Sequence, residues 1–190
     1  DYLHCRKFSF VVSLFSYKVF DVIRHLLNEF NISYYDYVMK VHERLESDEY
    51  GIIPKIISDF GNESENELFD SNSDVAEFFS IKENWNRLLC GEVGDNLLRK
   101  YVTRTFLLGP DAVFDFAFDI MNSFLSEGEK NRFDRPLCAT RLWSKKIYDV
   151  SSVLLEEIDM LLKKDVLTLD YDVQKWLKRS DKKKSIFEYN

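Results

Sequence analysis

Cysteine is scarce in this chain, and its three copies, Cys5, Cys90 and Cys138, lie far apart along it. An odd count without CxxC or CxH spacing argues against a disulfide framework and a closed zinc site, and it points to a reducing, cytoplasmic setting. The formal glycosylation sequons at Asn31 and Asn62 carry no meaning in such a compartment. Long apolar runs are missing too: no stretch reaches eighteen consecutive apolar residues and none reads as a signal peptide, so no membrane span is expected. Six Gly and three Pro in 190 residues leave little room for low-complexity linkers. Cations are outnumbered 26 to 33, for a net charge of −7 and a sequence pI near 5.1. That balance argues against nucleic acid as a partner for the domain surface, because neutralising phosphates needs clustered Lys and Arg. The one basic cluster, Lys175, Lys178, Arg179 and Lys182 to Lys184, reads as a solvated helix end and tail ahead of an RNA or anionic-lipid contact.

What is present in quantity is apolar and aromatic: 45% hydrophobic residues, with 16 Phe and 10 Tyr. A chain of this size buries roughly 70% of its unfolded surface and needs no covalent staple. The stretch Pro110 to Ser126, PDAVFDFAFDIMNSFLS, organises the rest. Ten of the fourteen positions from Ala112 to Leu125 are apolar, which leaves a thin polar stripe through Asp115, Asp119 and Asn122. A helix apolar around its circumference belongs inside a protein. Pro110 ahead of it and Gly128 behind it suit a helix start and stop.

The rest of the chain also carries helical periodicity. Lys7 to Phe30 predicts one long or two abutting helices closed by Asn31. Ser33 caps a helix with Tyr34, Tyr37, Val38, Val41 and Leu45 on one face, and Pro54 suits the first turn of a short helix ending near Phe60. Gly61 to Ser73, acidic and rich in Asn and Ser, predicts a loop and the best internal boundary. Asp74 is the expected cap of a helix carrying Val75, Phe78, Phe79, Trp85, Leu88 and Leu89. A corner at Gly91 and Gly94 follows, then a helix to Gly109. GEKNR reads as a polar loop, and Arg135 to Lys164 as the longest helix. Val166 to Val173 alternates like a single strand or extended arm, and with no partner strand in the sequence it is expected to lie against the helices or against a missing domain. The expectation is a single all-α domain over residues 1–190, an irregular multi-helix bundle around a buried central helix at about 110–126 with a short extended C-terminal arm.

No catalytic constellation stands out. Asp115 and Asp119 sit one turn apart, yet two carboxylates are too few for a metal cage. His4, His25 and His42 lack a second ligand at i+3 or i+4. Cys90 sits by a helix C-terminus, which does not lower a thiol pKa, and reads as a buried structural residue. Gly91 and Gly94 lack the remaining residues of a phosphate loop. The aromatic groups Phe114, Phe116 and Phe118, and Tyr34, Tyr35 and Tyr37, read as core packing. Catalytic, cofactor-binding and metal residues are therefore expected to be none.

YKVFDVIRHLLNEF followed by YYDYV, then IKENWNRLLCGEVGDNLLRKY, and lastly LTLDYDVQKWL resemble the helical C-terminal region of cobalamin-binding radical-SAM proteins, relatives of the anaerobic magnesium-protoporphyrin IX monomethyl ester cyclase. The resemblance covers most of the chain and rests on packing patterns. It implies a non-catalytic accessory domain of a larger enzyme, partnered by an upstream domain of its own chain. It also implies an iron–sulfur cluster, S-adenosylmethionine and cobalamin in that parent and none in this piece, because neither a CxxxCxxC triad nor a DxHxxG loop is present. Tyr171 and Trp176 are the residues that would contact the parent domain, since aromatics are enriched at interfaces. The alternative is a stand-alone helical interaction or regulatory module that binds through an apolar groove. The chain opens on Asp1 and not Met, which fits a piece of something longer. The resemblance predicts a cysteine triad upstream of Asp1 in the full reading frame; sequencing the full-length gene checks this, and a frame without the triad removes the kinship.

Overall fold

Pro110 supplies the fixed φ of a first helical turn, and from it the expected central helix runs to Asn122, four residues short of the expected end at Ser126. The structure, a computed structural model, describes residues 2–45, 51–94, 96–148 and 167–190. Among them are ten α-helices: α1 Tyr2–Phe15, α2 Asp21–Glu29, α3 Tyr34–Leu45, α4 Ile52–Asn66, α5 Asn72–Ser80, α6 Lys82–Leu89, α7 Leu97–Leu108, α8 Pro110–Asn122, α9 Glu127–Ile147 and α10 Val173–Leu177. Short 3-10 turns lie at Lys18–Phe20 and Ile186–Tyr189. The fold is all-α, an irregular bundle. Its centre is α8, which packs against α2, α3, α4, α7 and α9. Val113, Phe114, Phe116, Ala117, Phe118, Ile120 and Met121 are all buried along one broad arc of the helix, and Asp111, Asp115, Asp119 and Asn122 hold the more exposed remainder.

Local chemistry accounts for most helix ends. The Lys7 to Phe30 pattern resolves into two abutting helices, because Arg24 donates to the carbonyls of Ser16 and Tyr17 at 3.1 and 3.2 Å and so satisfies the end of α1. Asn31 closes α2 with φ +54. Its N–H donates to Asn28 O and that of Ile32 to Leu27 O, the paired bonds of a Schellman motif. Ser33 Oγ accepts from the Asp36 N–H at 3.4 Å and caps α3. Tyr37, fully buried on α3, donates to Ala117 O at 3.2 Å and ties that helix to α8.

Three further boundaries differ from expectation, each for a physical reason. Gly61 does not start a loop, because α4 continues through it to Asn66. A Cβ there would sit 2.4 Å from Lys7 Cε, so the Lys7 side chain of α1 lies over the bare glycine and would have to shift to admit a larger residue. The expected loop shrinks to the residues between Asn66 and Asn72. Gly128 and the GEKNR stretch are not a stop and loop but the first turn of α9. Ser126 and Glu129 form a reciprocal capping box that starts the helix eight residues before Arg135, and the helix then tolerates Pro136 in its interior. Ser71, rather than Asp74, caps α5 by accepting from the Asp74 N–H at 3.2 Å. The predicted continuation of α9 to Lys164 and the start of the arm at Val166 lie outside the described residues.

The C-terminal segment lies against the helices. Residues 167–169 carry no regular secondary structure, and the described residues contain no strand. Tyr171, Val173, Trp176 and Ile186 join the core, and α10 packs on α2, α9 and the last 3-10 turn. Glu29 accepts from Ser185 Oγ and from the Ile186 N–H, which fixes the tail to the end of α2. Buried apolar residues of α1 to α4, α7 to α9 and this tail form one cluster.

Phe116→Ala is expected to cost about 3–5 kcal/mol, the usual penalty for emptying a buried aromatic site. Leu89→Ala, by contrast, should stay within about 0.5 kcal/mol, as surface substitutions do. Urea unfolding at unchanged slope checks both.

Candidate functional site

Residues 67–96 contribute nothing to the central core, either as buried or as partly buried apolar members. The expected single helix from Asp74 to Cys90 breaks at Ile81, whose backbone is extended at φ −88, ψ 121, to give the hairpin of α5 and α6. Asn84 Nδ2 donates to Phe78 O at 2.7 Å and Trp85 Nε1 to Phe79 O, so two side chains of α6 satisfy the last carbonyls of α5. Phe69, Phe78, Phe79 and Trp85 form a chain of ring contacts with centroids 5.1 to 5.7 Å apart. After α6, Gly91 at φ +73 makes the Schellman turn back towards α7, with its N–H on Leu88 O and that of Glu92 on Arg87 O. The predicted corner is therefore present.

The apolar face expected to be core is largely open. Leu68, Phe69, Ile81, Trp85 and Leu89 are all exposed, Trp85 by 50% and Leu89 by 80%. A groove of about 530 Å³ is lined by Phe69, Phe78, Phe79, Leu88 and Val93 together with Glu63, Glu67, Glu92 and Arg87; Glu63 is paired with Lys100 and Glu92 with Arg87, and of the five exposed residues only Phe69 lines it. Acid dominates here: from Glu65 to Glu92 seven carboxylates stand against two cations, Lys82 and Arg87, which accounts for five of the seven net negative charges of the chain. Periodicity identified the apolar side of α5 and α6 correctly. It carried no information on whether another element covers that side.

No family model, curated protein or solved structure matches the chain. The site is therefore read from its own residues.

The polar stripe of α8 meets cations of α9. Arg141 binds Asp115 at 2.6 Å and Asp119 at 3.2 Å, and Lys145 binds Asp115 at 2.6 Å. Burial pushes the Asp115 carboxyl up, but the hydrogen bonds from Lys145 and Arg141 outweigh it and hold the pKa below its ordinary value. A carboxylate pair neutralised in this way bridges two helices. The histidines are placed by packing. His25 Nδ1 lies 2.8 Å from Asp21 O and its ring meets Trp176 edge-on, while burial lowers its pKa. His4 and His42, on α1 and α3, are brought to 5.2 Å between ring centroids, a pairing that their sequence positions do not announce. Among the described residues no three His, Cys, Asp or Glu side chains converge to hold a metal ion.

Cys5, Cys90 and Cys138 sit on α1, after α6 and on α9, all exposed and unbonded. Cys90 is thus not the buried residue expected, because α6 never docks on the body. Phe114, Phe116, Phe118 and Tyr37 are core, whereas Tyr35 is exposed. Tyr171 and Trp176, expected to face another domain, are instead 7% and 0% exposed. The arm folds back onto α2 and α9, so both rings are spent on the core of the chain itself.

A carboxylate with a depressed folded pKa stabilises above the unfolded value and loses that contribution as pH falls through the folded one. Asp115→Asn should therefore lower Tm at neutral pH and flatten the decline of Tm below about pH 4. Thermal melts across pH 2–7 on both chains measure it.

Proposed function

We propose that this chain is a non-catalytic helical interaction module whose α5–α6 hairpin docks an amphipathic helix bearing basic residues around its apolar face. The observation that carries this reading is the hairpin and its approach: Leu68, Phe69, Ile81, Trp85 and Leu89 stand in the open near an apolar-lined groove, and none of them belongs to the core cluster. Exposed apolar patches of this kind mark docking sites, and a helix laid in a groove is the recurring mode for them. Covering each such side chain is worth roughly 1–2 kcal/mol, enough for a usable affinity only if several are covered together. The carboxylate rim selects the sign of the partner. Electrostatic complementarity speeds encounter with a basic helix and penalises an acidic one.

The same face serves the accessory-domain reading, in which the catalytic part of a larger cobalamin-binding radical-SAM polypeptide supplies the partner helix. That narrower form is supported by the sequence resemblance; the alternative places the partner on a separate chain. Three exposed, unbonded cysteines suit a cytoplasmic setting. No helix among the described residues is long and apolar enough to cross a membrane.

Trp85 is the most exposed of the three tryptophans and supplies the probe. A synthetic Leu/Lys amphipathic helix is expected to shift its emission to the blue in a saturable way, whereas a Leu/Glu helix of the same pattern is not. Leu89→Asp, at an 80% exposed position, should weaken the Leu/Lys binding at least about tenfold, equivalent to 1.4 kcal/mol, with Tm unchanged. Equal response to both peptides, or indifference to Leu89→Asp, refutes the proposal.

A further inference from the structure

The lysines of the C-terminal basic cluster are exposed, as the composition suggests, but Arg179 among them is buried. Lys175, Lys178, Arg179 and Lys184 line a concavity of about 540 Å³ together with Asp172, Asp181 and Tyr189. Arg179, in the middle, is only 8% exposed. Its guanidinium lies over the Trp176 ring, 4.7 Å from the centroid, and donates to Trp176 O at 2.6 Å and to Lys182 O at 3.4 Å. Its Nε is buried with no hydrogen-bond partner. Among the described residues it has no carboxylate partner.

A buried cation without a counter-anion is costly. Withdrawing a charged group from water costs several kcal/mol, of which the face of an aromatic ring returns about 2. The acids that share the lining cap the local backbone: Asp172 accepts from the Lys175 N–H at 2.9 Å and Asp181 from the Lys183 N–H at 3.0 Å. Lys184 reaches Glu188 only at 4.0 Å, and Lys175 and Lys178 are exposed with no ion pair among the described residues. The pocket thus sets four cationic side chains against two carboxylates, Asp172 and Asp181, and keeps a net positive lining in a chain whose overall charge is −7.

We propose that this pocket is a binding site for a phosphate-monoester group, with the Arg179 fork and the Lys175, Lys178 and Lys184 ammonium groups as its ligands. Several converging cations match a dianion with three acceptor oxygens better than a single carboxylate, and Arg is the side chain suited to planar recognition of phosphate. A nucleic-acid strand fits less well, because it needs a continuous basic track that the acidic remainder of the surface does not offer. The group can belong to a soluble phosphorylated compound or to a lipid headgroup, and the test separates them. The proposal is independent of the hairpin, so Leu89→Asp is expected to leave it unaltered.

The experiment titrates the full chain with inorganic pyrophosphate in chloride buffer, by calorimetry and by NMR of the histidine ring protons. Saturable one-to-one binding is expected. The double variant Lys175→Glu, Lys178→Glu alters two exposed residues and should keep the wild-type Tm while weakening binding at least about tenfold, the loss expected for charge-assisted contacts. His25 provides a readout inside the fold. Its ring contacts Trp176, and its protonation is opposed by burial, by Arg179 and by Lys182 and favoured by Asp21. A dianion bound beside Arg179 and Lys182 should raise the His25 pKa, which diffuse surface association would not do. Co-sedimentation with phosphatidylcholine vesicles carrying a phosphatidylinositol monophosphate, but not with phosphatidylserine vesicles, assigns the group to a headgroup; pyrophosphate binding without vesicle recruitment assigns it to a soluble ligand. Absence of both, equal recruitment by phosphatidylserine, or pyrophosphate binding untouched in the double variant overturns the proposal.

Discussion

A helix that buries more than half of its circumference dictates its own surroundings, and α8 is such a helix. Seven of its thirteen residues are buried along one broad arc, so apolar helices must be supplied all along that arc. Each neighbour meets that demand with an apolar stripe of its own, Phe10, Val11, Leu14 and Phe15 from α1 being part of the same cluster as Tyr37, Val38 and Val41 from α3. The polar remainder of α8 sets the position of α9. Asp115 and Asp119 could not lie against another helix as bare carboxylates, and Arg141 and Lys145 neutralise them where they do.

The hairpin is the counterpart of that logic. It has short helices, and its hydrogen-bonding needs are met internally through Asn84 and Trp85, so it holds its shape without the core. Its apolar residues are therefore free to face outwards. The acid that surrounds them would repel a like surface and attract a basic one, because apposed carboxylates repel. In the proposed docking, a surface greasy in the middle and acidic at the edge would discriminate as well as bind.

At the other end of the chain the same physics runs with the sign reversed. Trp176 is completely buried, and its ring supplies the wall on which Arg179 rests. A guanidinium so placed cannot swing into solvent as the neighbouring lysines can. It gives the basic cluster a fixed point, and a fixed donor array costs less order on binding than a set of mobile tails. Core packing and anion recognition are joined in one residue pair, with His25 on the opposite edge of the indole as its reporter.

How much of this was legible in the sequence follows from what periodicity encodes. The 3.6-residue repeat and the capping residues Asn31, Ser33 and Pro110 determined the all-α class, the order of the helices and the identity of the central one. All are local properties, carried by neighbours within a turn or two. Gly61 misled because a glycine inside a helix, beneath a neighbouring side chain, looks the same as one chosen for a turn, and only the arrival of α1 tells them apart. The GEKNR stretch misled because its polarity is that of an exposed first turn, which the Ser126 and Glu129 box makes helical. Trp85 and Trp176 show the division most sharply. Each sits on the apolar side of a short helix, yet one is half exposed and the other sealed. Sequence by itself determined which side of each helix repels water; tertiary structure alone decided which of those sides found a cover, because burial is a relation between distant segments and no single segment contains it.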